Sequence, residues 1–172
     1  MSGEEIVVVT GFGPFRQFLV NPSWKAAQGL KLVGLGEKTH VCNKEVPVSY
    51  VRTQQIITQI WQTLHPKFAV HLGVAKGSSV VFLEQTAKNS GYSEKDVCGV
   101  CPDSHCCVEG GPEKLDSVVN MKAVAKEFRR VGMDVIYSRD AGSLTSKENL
   151  LPLLQTLVHT MLHQLEPPSE TA

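Results

Sequence analysis

The chain has 172 residues, with 17 Lys and Arg balancing 17 Asp and Glu, and this excludes the basic field that holds nucleic acid or an anionic membrane. That length suits one domain with a proper core and is short for two. No apolar run approaches the roughly 20 residues of a bilayer span, and five cysteines behind an acidic, signal-free start point to free thiols in a reducing, cytoplasmic compartment.

Ile6-Val7-Val8-Val9, a continuous β-branched run ended by Gly11, predicts a strand buried on both faces. Asn21-Pro22 then supplies an N-cap and a proline at the first helical position, with Trp24, Ala27 and Leu30 at helical spacing behind them. A short strand over His40–Val46 ends at Pro47. From Tyr50 to Leu64 the pattern is helical, with Tyr50, Ile57, Ile60, Trp61 and Leu64 on one face and Pro66 as the stop. Phe68–Leu72 and Val80–Leu83 read as further strands.

From Gln85 to Pro112 periodicity is lost and Gly, Cys, Asp and Ser accumulate, which predicts a long irregular excursion, functional or else mobile. Asn120 caps a helix that turns Met121, Val124, Ala125 and Phe128 inward and ends at Gly132. Val135-Ile136-Tyr137 is a strand leading into the turn Asp140-Ala141-Gly142. The last element carries an apolar stripe at Leu150, Leu154, Leu157, Met161 and Leu165, capped at Asn149 with Pro152 in its first turn. Strands alternating with helices predict an α/β fold, a three-layer α/β/α domain with a mostly parallel sheet. The domain is expected over residues 1–166, with 167–172 as a disordered tail. Ligands of such sheets bind at the carboxyl ends of the strands, so 11–15, 73–79 and 140–142 are candidate site walls.

Thr10-Gly11-Phe12-Gly13-Pro14-Phe15 joins a strand to a helix. Arg16 stands where a third dinucleotide-binding glycine belongs, and no Gly-Lys-Ser/Thr follows for a P-loop. Two readings of this segment remain: a structural turn with core aromatics, or a wall for a small flat ligand that glycine lets the backbone approach. Cys98, Cys101, Cys106 and Cys107 with His105 invite a zinc reading, but adjacent cysteines chelate one ion awkwardly, so free thiols and no metal are expected. His159 and His163 lie four apart on one helical face, with Thr160 where a zinc-peptidase helix carries Glu. They read as helix-surface residues, and His71 as a strand residue packed or hydrogen-bonded in place.

Taken in order, TGFGPF, Asn21-Pro22-Ser23-Trp24, Val46-Pro47-Val48-Ser49-Tyr50, His71-Leu72-Gly73-Val74, Leu83-Glu84 and Gly91-Tyr92 resemble the pyroglutamyl peptidase I family. Cys101-Pro102 and Cys106-Cys107-Val108-Glu109 before Gly111-Pro112-Glu113 are similar to its vertebrate form. The resemblance covers residues 6–142. It implies a cysteine-type omega peptidase that takes peptides with an N-terminal pyroglutamate, works through a Cys-His-Glu triad and needs no cofactor. By the same resemblance Glu84 matches the triad carboxylate, and Phe12 and Phe15 match the segment that holds the pyrrolidone ring.

The chain departs from that pattern after Gly142. The family continues into an aromatic-Leu-Cys segment opening a helix, then a strand ending in His-Val-Pro. Here Ser143-Leu144-Thr145-Ser146 follows, with no cysteine after Cys107 and no histidine until His159. Gly77-Ser78 is a smaller departure, since many relatives carry arginine after that glycine. Ser143, Thr145 and Ser146 stand near the right turn, yet a hydroxyl needs a base within hydrogen-bond reach. The expectation is an inactive or impaired peptidase with a sheet shortened near its C-terminus, and the alternatives are a non-catalytic pyroglutamyl binder or a poorly folded product. The pattern leaves the oligomeric state open.

Overall fold

The computed structural model describes residues 3–15, 19–73 and 80–140. In chain order the first half runs β1 (Glu5–Phe12), α1 (Pro22–Val33), β2 (Thr39–Val46), α2 (Tyr50–Leu64) and β3 (Phe68–His71). The second half adds β4 (Val81–Glu84), β5 (Thr86–Lys88), β6 (Lys114–Asp116), α3 (Met121–Arg130) and β7 (Val135–Ser138). The expected last helix lies outside the described residues.

β1 is a central strand. It pairs in parallel with β2, from Glu5↔Thr39 to Phe12↔Val46, and with β3, from Val7↔Phe68 to Thr10↔His71. The chain therefore steps from β1 to β2 on one side and returns across β1 to β3 on the other. Right-handed crossovers in opposite directions put α1 and α2 on opposite faces, which makes the three layers. Val7 and Val9 join Ala27 and Leu30 of α1 and Val124, Ala125 and Phe128 of α3 in one core. Val8 points the other way along the strand and, like Ile60 of α2, is buried outside that cluster. All three valines are 0% exposed, as the unbroken β-branched run predicts.

A second parallel pair, β4 with β7, runs from Val81↔Val135 to Glu84↔Ser138 and shares the same core through Leu83 and Val135. The fold is α/β with mostly parallel strands. No helix among the described residues is long and apolar enough to cross a membrane.

The helix ends follow their caps. Asn21 Oδ1 accepts from Ser23 N at 3.1 Å, Ser49 Oγ from Arg52 N at 3.3 Å and Asn120 Oδ1 from Ala123 N at 3.1 Å. After α3, Gly132 takes φ 82°, a left-handed value suited to glycine. α2 occupies the expected span, but its apolar stripe is shallower than expected: Ile60 is 3% exposed and Trp61 is 45% exposed.

The region after Gln85 differs from the irregular excursion expected. β5 and β6 pair antiparallel, from Thr86↔Asp116 to Lys88↔Lys114, and close a stem beneath it. Asn89 extends the stem: its Oδ1 accepts from Val108 N at 2.7 Å and its Nδ2 donates to Val108 O at 2.7 Å. These elements carry no hydrophobic period because β6 is exposed throughout.

Candidate functional site

The reversal of crossover direction makes the carboxyl ends of β1 and β3 a topological switch point, where sheets of this kind open a crevice. Thr10 and His71 face each other there, with Thr10 Oγ1 2.7 Å from His71 Nδ1. His71 is an exposed residue, but the protein atoms packed around its imidazole desolvate the ring and lower its pKa. The unfolded state then binds the extra proton, so this contribution to stability is complete above about pH 6.5 and is lost as pH falls towards the depressed folded value. A urea midpoint that falls between pH 7.5 and 5.5, with a smaller fall in His71→Gln, is the expected result.

The Gly11–Phe15 turn is built by its contacts with α1. A Cβ on Gly11 would lie 2.5 Å from Trp24 Cα and 2.6 Å from Ser23 O, so only glycine lets the helix start come this close. Phe12 N donates to Ser23 Oγ at 2.9 Å, and Ser23 Oγ donates to Asn21 Oδ1 at 2.8 Å. Asn21 Nδ2 donates to Gly13 O at 3.1 Å, and Gly13 N to Val46 O at 2.9 Å. Asn21 and Ser23, legible in the sequence only as a helix start, thus also lock the turn.

Phe12 and Phe15 are half-buried on either side of Gly13-Pro14. A cleft of about 410 Å³ opens at this turn, lined by Gly13, Pro14, Glu45, Pro47, Val48 and Val97. The turn's backbone borders it, and the two phenylalanine rings do not. Val97 comes from the excursion and is tied in by its N–H to Val48 O at 3.0 Å. Beside it Asp96 accepts three backbone N–H groups: Tyr50 at 3.0 Å, Cys98 at 2.8 Å and Val100 at 3.1 Å. Desolvation works against the charge, but these bonds hold its carboxyl below the usual carboxylate range. Tyr50 stacks edge-on with Tyr92 at 6.1 Å.

Glu84 ends β4 opposite Ser138. Both of its carboxylate oxygens are buried, and among the described residues neither has a hydrogen-bond partner. Its neighbour Gln85 is fully engaged, with Oε1 accepting from Met121 N at 2.8 Å and Nε2 donating to Ser117 O at 2.8 Å. Just past β7, Asp140 pairs with Lys88 of β5, whose hydrogen bond holds the Asp140 carboxyl below its usual range. The excursion therefore leaves β4 and touches the chain just beyond β2 at Val48 and Tyr50, while its stem touches the chain just beyond β7 at Asp140. It gathers the carboxyl ends of three strands.

Cys42, Cys98, Cys101, Cys106 and Cys107 are free thiols. Among the described residues no three His, Cys, Asp or Glu side chains converge as a metal ion requires. Gly77, Ser78, Ser143, Thr145, Ser146, His159 and His163 lie outside the described residues.

The described residues thus combine a mostly parallel α/β sheet, a cleft at the ends of β1 and β2 and a buried acid at the end of β4. The family model described as pyroglutamyl peptidase matches residues 5–166, and the chain belongs to that family, in its vertebrate form. It is similar to pyroglutamyl-peptidase 1 of Homo sapiens, at 45% identity over 138 residues, or 79% of this chain and 66% of the relative. The chain thus spans just under two thirds of that relative's length. Among solved structures, pyroglutamyl peptidase I from Bacillus amyloliquefaciens matches with a TM-score of 0.72 at 26% identity, covering 82% of this chain and 67% of that one. A mutant pyrrolidone carboxyl peptidase from Pyrococcus furiosus gives 0.83 at 19% identity, over 94% and 100%; this second likeness concerns the fold alone.

Proposed function

We propose that this chain recognises peptides with an N-terminal pyroglutamyl residue in the cytoplasm and hydrolyses them poorly or not at all. In the cysteine-type reaction that the family resemblance implies, a thiolate attacks the pyroglutamyl carbonyl carbon and the C–N bond breaks. The leaving amine takes its proton from a histidine that a carboxylate orients, and water then hydrolyses the thioester. Glu84 is that carboxylate by position. The observation that carries the proposal is its isolation: the carboxylate is buried with no partner among the described residues, in a chain with no cysteine after Cys107 and no histidine between His105 and His159. Among the described residues it has no hydrogen-bonded imidazole to orient. Recognition is supported separately, by the locked Gly11–Phe15 turn with Phe12 and Phe15 at the switch point.

The test pairs turnover with binding. Freshly reduced, purified chain is expected to release no fluorophore from a pyroglutamyl amide above a mock purification. A pyroglutamyl peptide at 100 times its Kd is expected to stabilise the fold by about 2.7 kcal/mol, because only ligands of the folded state do so. Turnover above the mock that alkylation removes would overturn the catalytic half of the proposal. A melting midpoint indifferent to every pyroglutamyl ligand would overturn the recognition half.

A further inference from the structure

The cleft beside the Gly13-Pro14 turn carries a charge that a pyroglutamyl ring does not answer. Pro14, Pro47, Val48 and Val97 give it apolar walls, and Glu45 is the one ionisable lining group among the described residues. The walls are fixed against one another, the turn through Gly13 N to Val46 O at 2.9 Å and the excursion through Val97 N to Val48 O at 3.0 Å. Glu45 leans over the turn, so that a Cβ on Gly13 would stand 3.2 Å from Glu45 Oε1. Among the described residues its carboxylate is engaged by no cation or hydrogen-bond donor. Lys44 precedes it on β2 and projects to the opposite face of the sheet. The nearby Asp96 carboxylate is occupied by its three backbone N–H groups.

An apolar trough with a carboxylate unengaged among the described residues suits an aliphatic stem that ends in a cation. The pyroglutamyl ring is a neutral lactam with a single N–H. From these observations we infer that the cleft is a subsite for a basic side chain, arginine or lysine, on the residue that follows pyroglutamate, and that Glu45 selects it. This rests on the reading that the neighbouring turn holds the pyroglutamyl group. The ring and the next side chain then lie on adjacent parts of one turn, and the peptide extends from the switch point towards β2 and the excursion.

The experiment measures binding of pyroglutamyl-arginine amide, pyroglutamyl-alanine amide and pyroglutamyl-glutamate amide to the full chain by calorimetry at low salt. The arginyl ligand is expected to bind about fivefold tighter than the alanyl one, and the glutamyl ligand weaker than both, the scale of a partly exposed ion pair. In Glu45→Gln, at an exposed position, the arginyl ligand is expected to bind only as tightly as the alanyl ligand binds the unsubstituted chain. Adding salt is expected to erode the arginyl advantage, since it screens the pair. Equal affinity for the arginyl and alanyl ligands, or an arginyl preference that survives Glu45→Gln, overturns the subsite while leaving pyroglutamyl recognition intact. Failure of all three ligands to bind overturns both readings.

Discussion

Alanine at Gly11 is expected to destabilise the fold by roughly 3 kcal/mol or more, near the severe end for a single added methyl group. The new Cβ would meet Trp24 Cα at 2.5 Å and Ser23 O and Trp24 N at 2.6 Å. These are main-chain atoms of the first turn of α1, so no side-chain rotation relieves the contact. The helix start has to retreat from β1. That retreat stretches the Phe12 N to Ser23 Oγ and Asn21 Nδ2 to Gly13 O bonds, 2.9 and 3.1 Å in the intact turn. The cost is therefore steric overlap plus the loss of hydrogen bonds to buried groups, each worth about 1 kcal/mol. Urea denaturation checks it directly, and a loss under about 1 kcal/mol would show that the turn adapts cheaply.

Leucine at Glu84 is expected to act in the opposite direction, raising stability by about 1–3 kcal/mol. Burying a carboxylate without a partner sacrifices its hydration for nothing in return, and an apolar side chain of similar size removes that penalty. Most substitutions destabilise, so an increase is diagnostic. It is what a residue held for chemistry rather than for packing should do. Glutamine at the same position is expected to give a smaller gain, since a neutral amide still leaves polar atoms unsatisfied. If Glu84→Leu instead lowers the urea midpoint, the carboxylate holds a donor in the folded chain and is not isolated. The two substitutions probe different parts of the site: Gly11 the wall that would hold a ligand, Glu84 the group that would assist its cleavage.

The sequence made the regular elements legible wherever burial was two-sided or caps were explicit. The Ile6–Val9 run reads as a buried strand because an unbroken β-branched run suits a strand covered on both faces, and Asn21, Ser49 and Asn120 mark helix starts through their own side-chain chemistry. Trp61 misled because a helical stripe gives direction and not depth: it shares Ile60's side of α2 and remains 45% exposed. β5 and β6 escaped detection because they are only three residues each and lack an apolar face, being held by ladder bonds and by Asn89. The positions of Phe12, Phe15 and Glu84 could be read from family resemblance. The isolation of Glu84, the second role of Asn21 and Ser23, and Glu45 beside the cleft depend on segments distant in the chain meeting at strand ends, which no local pattern records.

The central place of β1 has a consequence for how the chain is made. Both of its partners lie downstream, β2 ending at Val46 and β3 beginning at Phe68. At about 5–20 residues per second of synthesis, Val7-Val8-Val9 spends roughly two to seven seconds without its first neighbour, and longer without its second. Through that interval a strand destined for complete burial presents two unpaired edges. The sequence that gives the sheet its most secure strand thus also gives the nascent chain its earliest need for shielding.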